Sequence, residues 1–169
     1  MIVCVTGSCG TGKTTVAKAL AKKYNLQNVD VGMLIKKNKL YDSYDRSLQT
    51  YIVDEKKVKK FLENFIRFHK NVVLDSHLSH YLNKKYVDVC VVVKCDIKAL
   101  KKRLINRGYS LNKIRENLDA EIFDVCFAEA LEHGHRIVTI DTSKGFKYSL
   151  LENIFNKYYK DNRKNKKDD

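Results

Sequence analysis

Eight residues constrain this chain more than any others. Gly7-Ser8-Cys9-Gly10-Thr11-Gly12-Lys13-Thr14 fills every fixed position of the pattern G-x-x-x-x-G-K-T. The octapeptide follows an apolar run at residues 2–5 and opens a segment, 14–24, whose Val16, Leu20 and Tyr24 share one helical face. A buried strand, a glycine turn and a helix in that order make an anion cradle. The glycines let backbone N–H groups turn inward, and the helix points its positive end at the same spot. Gly7, Gly10 and Gly12 are therefore read as backbone contacts to phosphate, and Lys13 as the cation that bridges β- and γ-phosphates. Thr14 supplies a hydroxyl for Mg2+, and Thr15 stands within reach of the α-phosphate, unless it only satisfies backbone groups at the helix start.

The rest of the chain repeats the alternation of strand and helix. Residues 54–68 carry Val58, Phe61, Leu62, Phe65 and Ile66 at helical spacing behind a capping Asp54. Buried strands are expected at 72–74, 89–93 and 137–140, with a further short strand at 29–31. Helices are expected at 97–104 and 147–160. The apolar runs are continuous rather than alternating, as in parallel strands covered on both faces. The expectation is one α/β domain built on a parallel five-stranded sheet with helices on both faces and right-handed crossovers. Two polar stretches, 32–53 and 106–132, fall outside the alternation and read as insertions over the ligand edge of the sheet.

Composition narrows the classes. Lys and Arg number 33 against 20 Asp and Glu, a net charge of +13 that draws in polyanions, with nucleotides, RNA and ribosomal surface as candidates. The same excess also reads as plain Lys-rich usage. No apolar run approaches the ~20 residues of a bilayer crossing, and no signal-peptide pattern precedes the glycine turn. Five cysteines, an odd number without metal-ligand spacing, read as reduced packing residues. Together these point to a protein with no membrane partner, cytoplasmic, or nuclear in a eukaryote. A nucleic-acid module is disfavoured, because the aromatic-basic alternation of single-strand platforms is missing.

A phosphate loop needs a carboxylate opposite it, and Asp75 closes the strand at 72–74. It is the candidate metal-organising and catalytic carboxylate, with helix capping as the competing role. His77, two residues on, could orient a water or the transferring phosphoryl group, whereas His80 reads as a structural histidine. A zinc site is a weak reading, because no cysteine stands beside the pair. Phosphoryl transfer spreads charge over three equatorial oxygens and calls for cations from outside the loop. Arg103 and Arg107, four apart at the end of the helix 97–104, fit that need, with Arg46 and Arg115 as weaker candidates.

These residues resemble the adenylate kinase isoenzyme 6 family, also called the coilin-interacting nuclear ATPase family in animals, with archaeal relatives. The carriers are the loop from Thr6 to Thr15, Val31-Gly32, Leu40-Tyr41-Asp42-Ser43-Tyr44-Asp45 and Asp75-Ser76-His77. Most specific are Arg103-Leu104 with Arg107-Gly108-Tyr109, then Lys113-Ile114, Glu116-Asn117-Leu118 and Ala120-Glu121-Ile122. The resemblance implies a P-loop nucleoside-monophosphate kinase fold over residues 1–160, with a monophosphate-binding region at about 30–53 and a short lid at about 106–116. The excess of Lys and Arg over Asp near the end of the chain separately reads as a basic flexible tail at 161–169. It implies ATP and AMP as substrates, Mg2+ with the ATP, and an ATPase activity. It further implies a role in small ribosomal subunit maturation through a platform ribosomal protein and nearby rRNA. Cys9 departs from the family's usual Pro, and Leu78 from the Gly common in eukaryotic members.

Overall fold

The computed structural model describes residues 1–152. Its centre is a parallel sheet of five strands: β1 (Ile2–Thr6), β2 (Gln27–Asp30), β5 (Val72–Asp75), β6 (Val89–Lys94) and β7 (Ile137–Asp141). The spatial order is β2-β5-β1-β6-β7, so the strand bearing the glycine loop lies in the middle. Val3 pairs with Val73 on one side and Val89 on the other. All five residues of β1 are buried, as both-face coverage demands.

Alternation within the strands divides the core. Val3 and Val5 face α1 (Lys13–Tyr24), which contributes Val16, Ala17 and Leu20. Cys4, Leu74 and Val92 face the other layer. There α2 (Val31–Lys37) supplies Val31 and Ile35, and α3 (Glu55–Phe68) supplies Val58, Leu62 and Ile66. Asp54 caps α3 as its position predicts, accepting from the Lys56 and Lys57 amides at 2.8 and 3.4 Å. A smaller cluster joins Leu100 and Leu104 of α4 (Ile97–Asn106) to Ile114 of α5 (Leu111–Ile122).

The structure corrects several boundaries. The strand expected at 29–31 runs Gln27–Asp30, and Val31 instead begins α2, because the Asp30 carboxylate accepts from the Met33 amide at 2.9 Å and starts a helix there. The stretch 32–53 contains α2 and a hairpin, β3 (Ser43–Asp45) with β4 (Thr50–Ile52), in which Tyr44 opposes Tyr51. The stretch 106–132 is mostly helical, as α5 and α6 (Val125–Glu132). Its apolar stripe is thin: α5 buries only Ile114 and Asn117, while Leu111 and Ile122 are exposed. Of the helix expected at 147–160, Tyr148–Leu151 forms a 3-10 turn. The remainder of that helix, and the tail at 161–169, lie outside the described residues. Among the described residues no helix is long and apolar enough to cross a membrane.

Candidate active site

The loop between β1 and α1 takes the shape its glycines allow. Gly7 has φ +137°, and a Cβ there would stand 2.3 Å from the Val93 carbonyl oxygen of β6, so no larger residue fits without moving the sheet. Gly10, at φ +92°, lies against Leu100 and Leu104, where a Cβ would come within 2.9 Å of both side chains. Gly12, at φ +98°, precedes the first turn of α1. The Ser8 carbonyl oxygen sits at the centre, accepting from the Thr11 hydroxyl and from the Lys13 ammonium, each at 2.9 Å.

Around the loop lies a cavity of about 590 Å3. One wall is the loop itself, with Gly10, Gly12, Lys13, Thr14 and Thr15. The end of β5 and the following turn add Asp75, Ser76 and His77. The opposite wall comes from α2 and the hairpin, including Ile35, Lys36, Tyr44 and Tyr51. Arg107 and Tyr109 enter from the connection between α4 and α5. Thus Gly10, Gly12, Lys13, Thr14, Thr15, Asp75, His77 and Arg107, proposed from scattered stretches of sequence, converge on one space, with Gly7 shaping the loop behind them.

Electrostatics follow from enclosure. Burial lowers the Lys13 pKa from its usual value, against the pull of Cys9, Cys126 and Asp75. Burial likewise raises the Asp75 pKa, opposed by a hydrogen bond from the Thr14 hydroxyl and by the Lys13 charge. His77 opens toward the cavity but is ringed by protein atoms. That desolvation, with the Lys13 and Lys113 ammonium groups, lowers its pKa to about 4, so its ring is uncharged at neutral pH. Asp75 is not a helix cap. That duty falls to Asp30, its register partner on β2, whose carboxylate also lines the cavity.

The two arginines diverge. Arg107, the C-terminal cap of α4, reaches the cavity and donates weakly to the Cys9 Sγ at 3.8 Å. Arg103 points to the back of the loop, donating to the Thr142 hydroxyl at 3.0 Å and carbonyl oxygen at 2.5 Å, with the Gly10 and Thr11 carbonyl oxygens at 3.5 Å. A four-residue spacing sets neighbouring Cβ atoms on one face, but carbonyl acceptors decide where long side chains end. Arg115 is exposed beside Asp119 at 3.9 Å, and neither it nor Arg46 lines the cavity.

His80 is fully buried. Its Nδ1 pairs with the Thr6 hydroxyl at 2.8 Å and its Nε2 with Glu129 at 2.9 Å. Burial and the nearby His133 and His135 hold its pKa far below the usual value, so the contact with Glu129 is a hydrogen bond donated by a neutral imidazole rather than an ion pair. Among the described residues no group of three or more His, Cys, Asp or Glu is placed to hold a metal ion, zinc included. Mg2+ asks for less. It keeps waters, takes oxygen ligands and shares them with phosphates, and the Thr14 hydroxyl beside the Asp75 carboxylate is a donor pair of that kind.

Sequence reasoning gave no site role to four residues that the structure places at or against the loop and cavity. Lys36, with its ammonium 5.1 Å from the centre of the Tyr51 ring, is one lysine among many and carries no pattern. Tyr51 sits between Tyr41 and Tyr44 at 4.6 and 4.9 Å, an aromatic cluster hinted at only by the Tyr-rich stretch. Asn117 is buried in α5, where its Oδ1 accepts from the Cys9 amide of the loop at 3.0 Å and its Nδ2 donates to the Lys113 carbonyl at 2.8 Å. Thr142, beyond β7, donates to the Thr11 carbonyl at 2.5 Å.

An all-parallel five-stranded sheet with a glycine phosphate loop at the carboxyl end of its central strand is a P-loop, kinase-like fold. Solved structures agree on the fold: shikimate kinase from Acinetobacter baumannii in complex with shikimate has a TM-score of 0.64 at 16% identity, over 95% of this chain and 93% of that one. Deoxyadenosine kinase from M. mycoides with bound dATP gives 0.58 at 13% identity, over 93% and 98%. The AAA domain family model matches residues 3–124. An adenylate kinase isoenzyme 6 homolog of Schizosaccharomyces pombe is 39% identical over 132 residues, 78% of this chain and 74% of its own length. A Methanocaldococcus jannaschii relative is 34% identical over 154 residues, 91% and 84%. The chain belongs to the adenylate kinase isoenzyme 6 family, an adenylate kinase-like group of nucleotide kinases.

Proposed function

We propose that the protein transfers the γ-phosphoryl group of Mg-ATP to AMP, giving two ADP. The observation that carries this reading is a single cavity walled on one side by the phosphate loop and on the other by α2 and the tyrosine hairpin. Two anionic substrates can meet there in line. In this reading the region 30–53 holds the monophosphate, with Lys36 as the cation of that wall and the tyrosines as its apolar and stacking surface. The segment 106–116 serves as the lid that brings Arg107 over the phosphates.

Positioning and charge neutralisation supply most of the rate in this chemistry. The loop amides and the start of α1 orient the donor phosphates. Lys13 is held on the Ser8 carbonyl, ready to exchange that acceptor for phosphate oxygens. Arg107 adds charge where the transferring group becomes more anionic. Mg2+, held by Thr14 and Asp75, would neutralise phosphate charge. His77, neutral at pH 7, offers a hydrogen-bonding ring at the acceptor without adding charge. Arg103 braces the loop from behind by gathering the carbonyl oxygens of Gly10, Thr11 and Thr142. When water occupies the acceptor place, the same constellation gives ATP hydrolysis.

A second reading, in which hydrolysis serves assembly of the small ribosomal subunit and AMP is incidental, draws support from the net charge of +13. One titration separates the elements of the main reading. A bisubstrate analogue joining two adenosines should bind with one-to-one stoichiometry and place density in both halves of the cavity. Absence of any heat with magnesium-bound ATP or ADP would overturn both readings. Turnover stimulated by a platform ribosomal protein but not by AMP would favour the second.

A further inference from the structure

The cavity's two flaps touch each other directly. The turn between β3 and β4 meets the end of the α4–α5 connection and the first turn of α5 through three hydrogen bonds. The Ser110 hydroxyl donates to the Ser47 carbonyl oxygen at 2.7 Å, the Ser110 amide to Gln49 Oε1 at 3.1 Å, and Asn112 Nδ2 to the Ser47 hydroxyl at 2.8 Å. We propose that Ser47, Gln49, Ser110 and Asn112 form a latch that couples the two halves of the cavity, so that donor triphosphate and acceptor monophosphate bind cooperatively.

Placement carries the argument. On the lid side, Arg107 and Tyr109 line the cavity immediately before Ser110. On the hairpin side, Tyr44, Gln49, Thr50 and Tyr51 line it, so Gln49 belongs to both the cavity wall and the latch, with Ser47 behind it in the turn. A ligand that orders one flap therefore fixes one half of the latch, and a ligand on the opposite wall fixes the other. All three bonds are exposed, so each is weak and competes with water. A weak latch is formed only in part when one flap is ordered, and more fully when both are. By reciprocity, each nucleotide then raises the affinity of the other by the same factor. Closure with both substrates present also keeps water from a donor that has an acceptor beside it. The four side chains act as positioning residues, and the proposal rests on the two-substrate reading above.

The test uses calorimetry with a non-hydrolysable Mg-ATP analogue and AMP, each titrated alone and then against protein saturated with the other. The wild-type coupling factor should be about tenfold, within the usual range for linked sites. Asn112→Ala, which touches no cavity-lining group in the latch, should lower it about threefold, the effect of one exposed hydrogen bond. Ser110→Asp keeps an acceptor for the Lys113 amide at the start of α5 but sets a carboxylate against the Ser47 carbonyl. It should bring the factor close to one. Asn112→Asp can accept from the Ser47 hydroxyl and should keep the wild-type factor. Single-nucleotide affinities should fall by less than the coupling factor in Ser110→Asp and Asn112→Ala, whereas a general structural defect would weaken both subsites and leave the factor intact. A wild-type factor of one, an unchanged factor in Ser110→Asp, or losses at both subsites with their ratio intact would overturn the latch. Failure of the wild-type protein to bind either nucleotide would instead overturn the functional reading, and the latch with it.

Discussion

Replacing Lys13 by Met separates what this residue does for the fold from what it does for the reaction. Met keeps most of the aliphatic stem and removes the ammonium. In the structure that ammonium is enclosed enough for burial to lower its pKa, so its charge is a burden on the native state rather than a support. It donates to the Ser8 carbonyl at 2.9 Å, but the Thr11 amide and hydroxyl serve the same oxygen at 3.3 and 2.9 Å. No acceptor is orphaned, and the expected change in stability is within about 1 kcal/mol, of either sign. The expected change in catalysis is far larger. A unit charge facing phosphate at about 4 Å, in surroundings of effective dielectric about 20, contributes about 4 kcal/mol, or roughly a thousandfold in rate. ADP formation from ATP and AMP, followed by a coupled assay, should fall by about that factor, while urea unfolding gives a midpoint close to wild type. Mg-ATP should raise the melting temperature of the wild-type protein and leave that of the variant unchanged. Activity within tenfold of wild type, or loss of activity accompanied by collapse of the fold, would refute the reasoning.

The arginines predict a contrast. Arg107→Ala should lower kcat about a hundredfold or more with an unchanged urea midpoint, because its guanidinium reaches the cavity and its contacts to the Cys9 Sγ and the Tyr109 hydroxyl are at the protein surface. Arg103→Met should cost about 2 kcal/mol of stability, through the lost donors to Thr142, Gly10 and Thr11, with activity declining alongside. His77 predicts a pH dependence. Its folded pKa of about 4 lies below the unfolded value near 6.5, so the unfolded chain binds the extra proton first. That difference has no effect above about pH 6.5 and erodes stability as pH falls from there toward 4. In His77→Asn, chemical unfolding across that window should show a shallower loss, and an identical slope in both proteins would count against the shift.

Much of the site was legible because its chemistry is local. Loop, strand and helix stand next to one another from residue 2 to residue 24, and an anion cradle is a matter of backbone geometry, so the glycine spacing carries the information. Asp75 was legible as a charge closing a buried strand, and the parallel sheet as continuous apolar runs. What escaped depends on distant partners. Asn117 meets the Cys9 amide only because α5 folds back over the loop, and α5 itself has too thin an apolar stripe to announce a helix. Arg103 carries the same charge as Arg107, and only the carbonyl oxygens of Thr142 and the loop reveal that it faces away. Asp30 and Val31 show the competition at an element boundary. A β-branched pair suggested continued strand, and one capping carboxylate turned the second valine into the first residue of a helix.

The middle position of β1 has a consequence for how the molecule is made. Its neighbours are residues 72–75 and 89–94, both far downstream in the chain. Such distant pairing closes long loops before any ladder rewards them, which places the domain among slower folders. Gly7 sits against the Val93 carbonyl of β6, so the surroundings of the glycine octapeptide are complete only once synthesis has passed that residue.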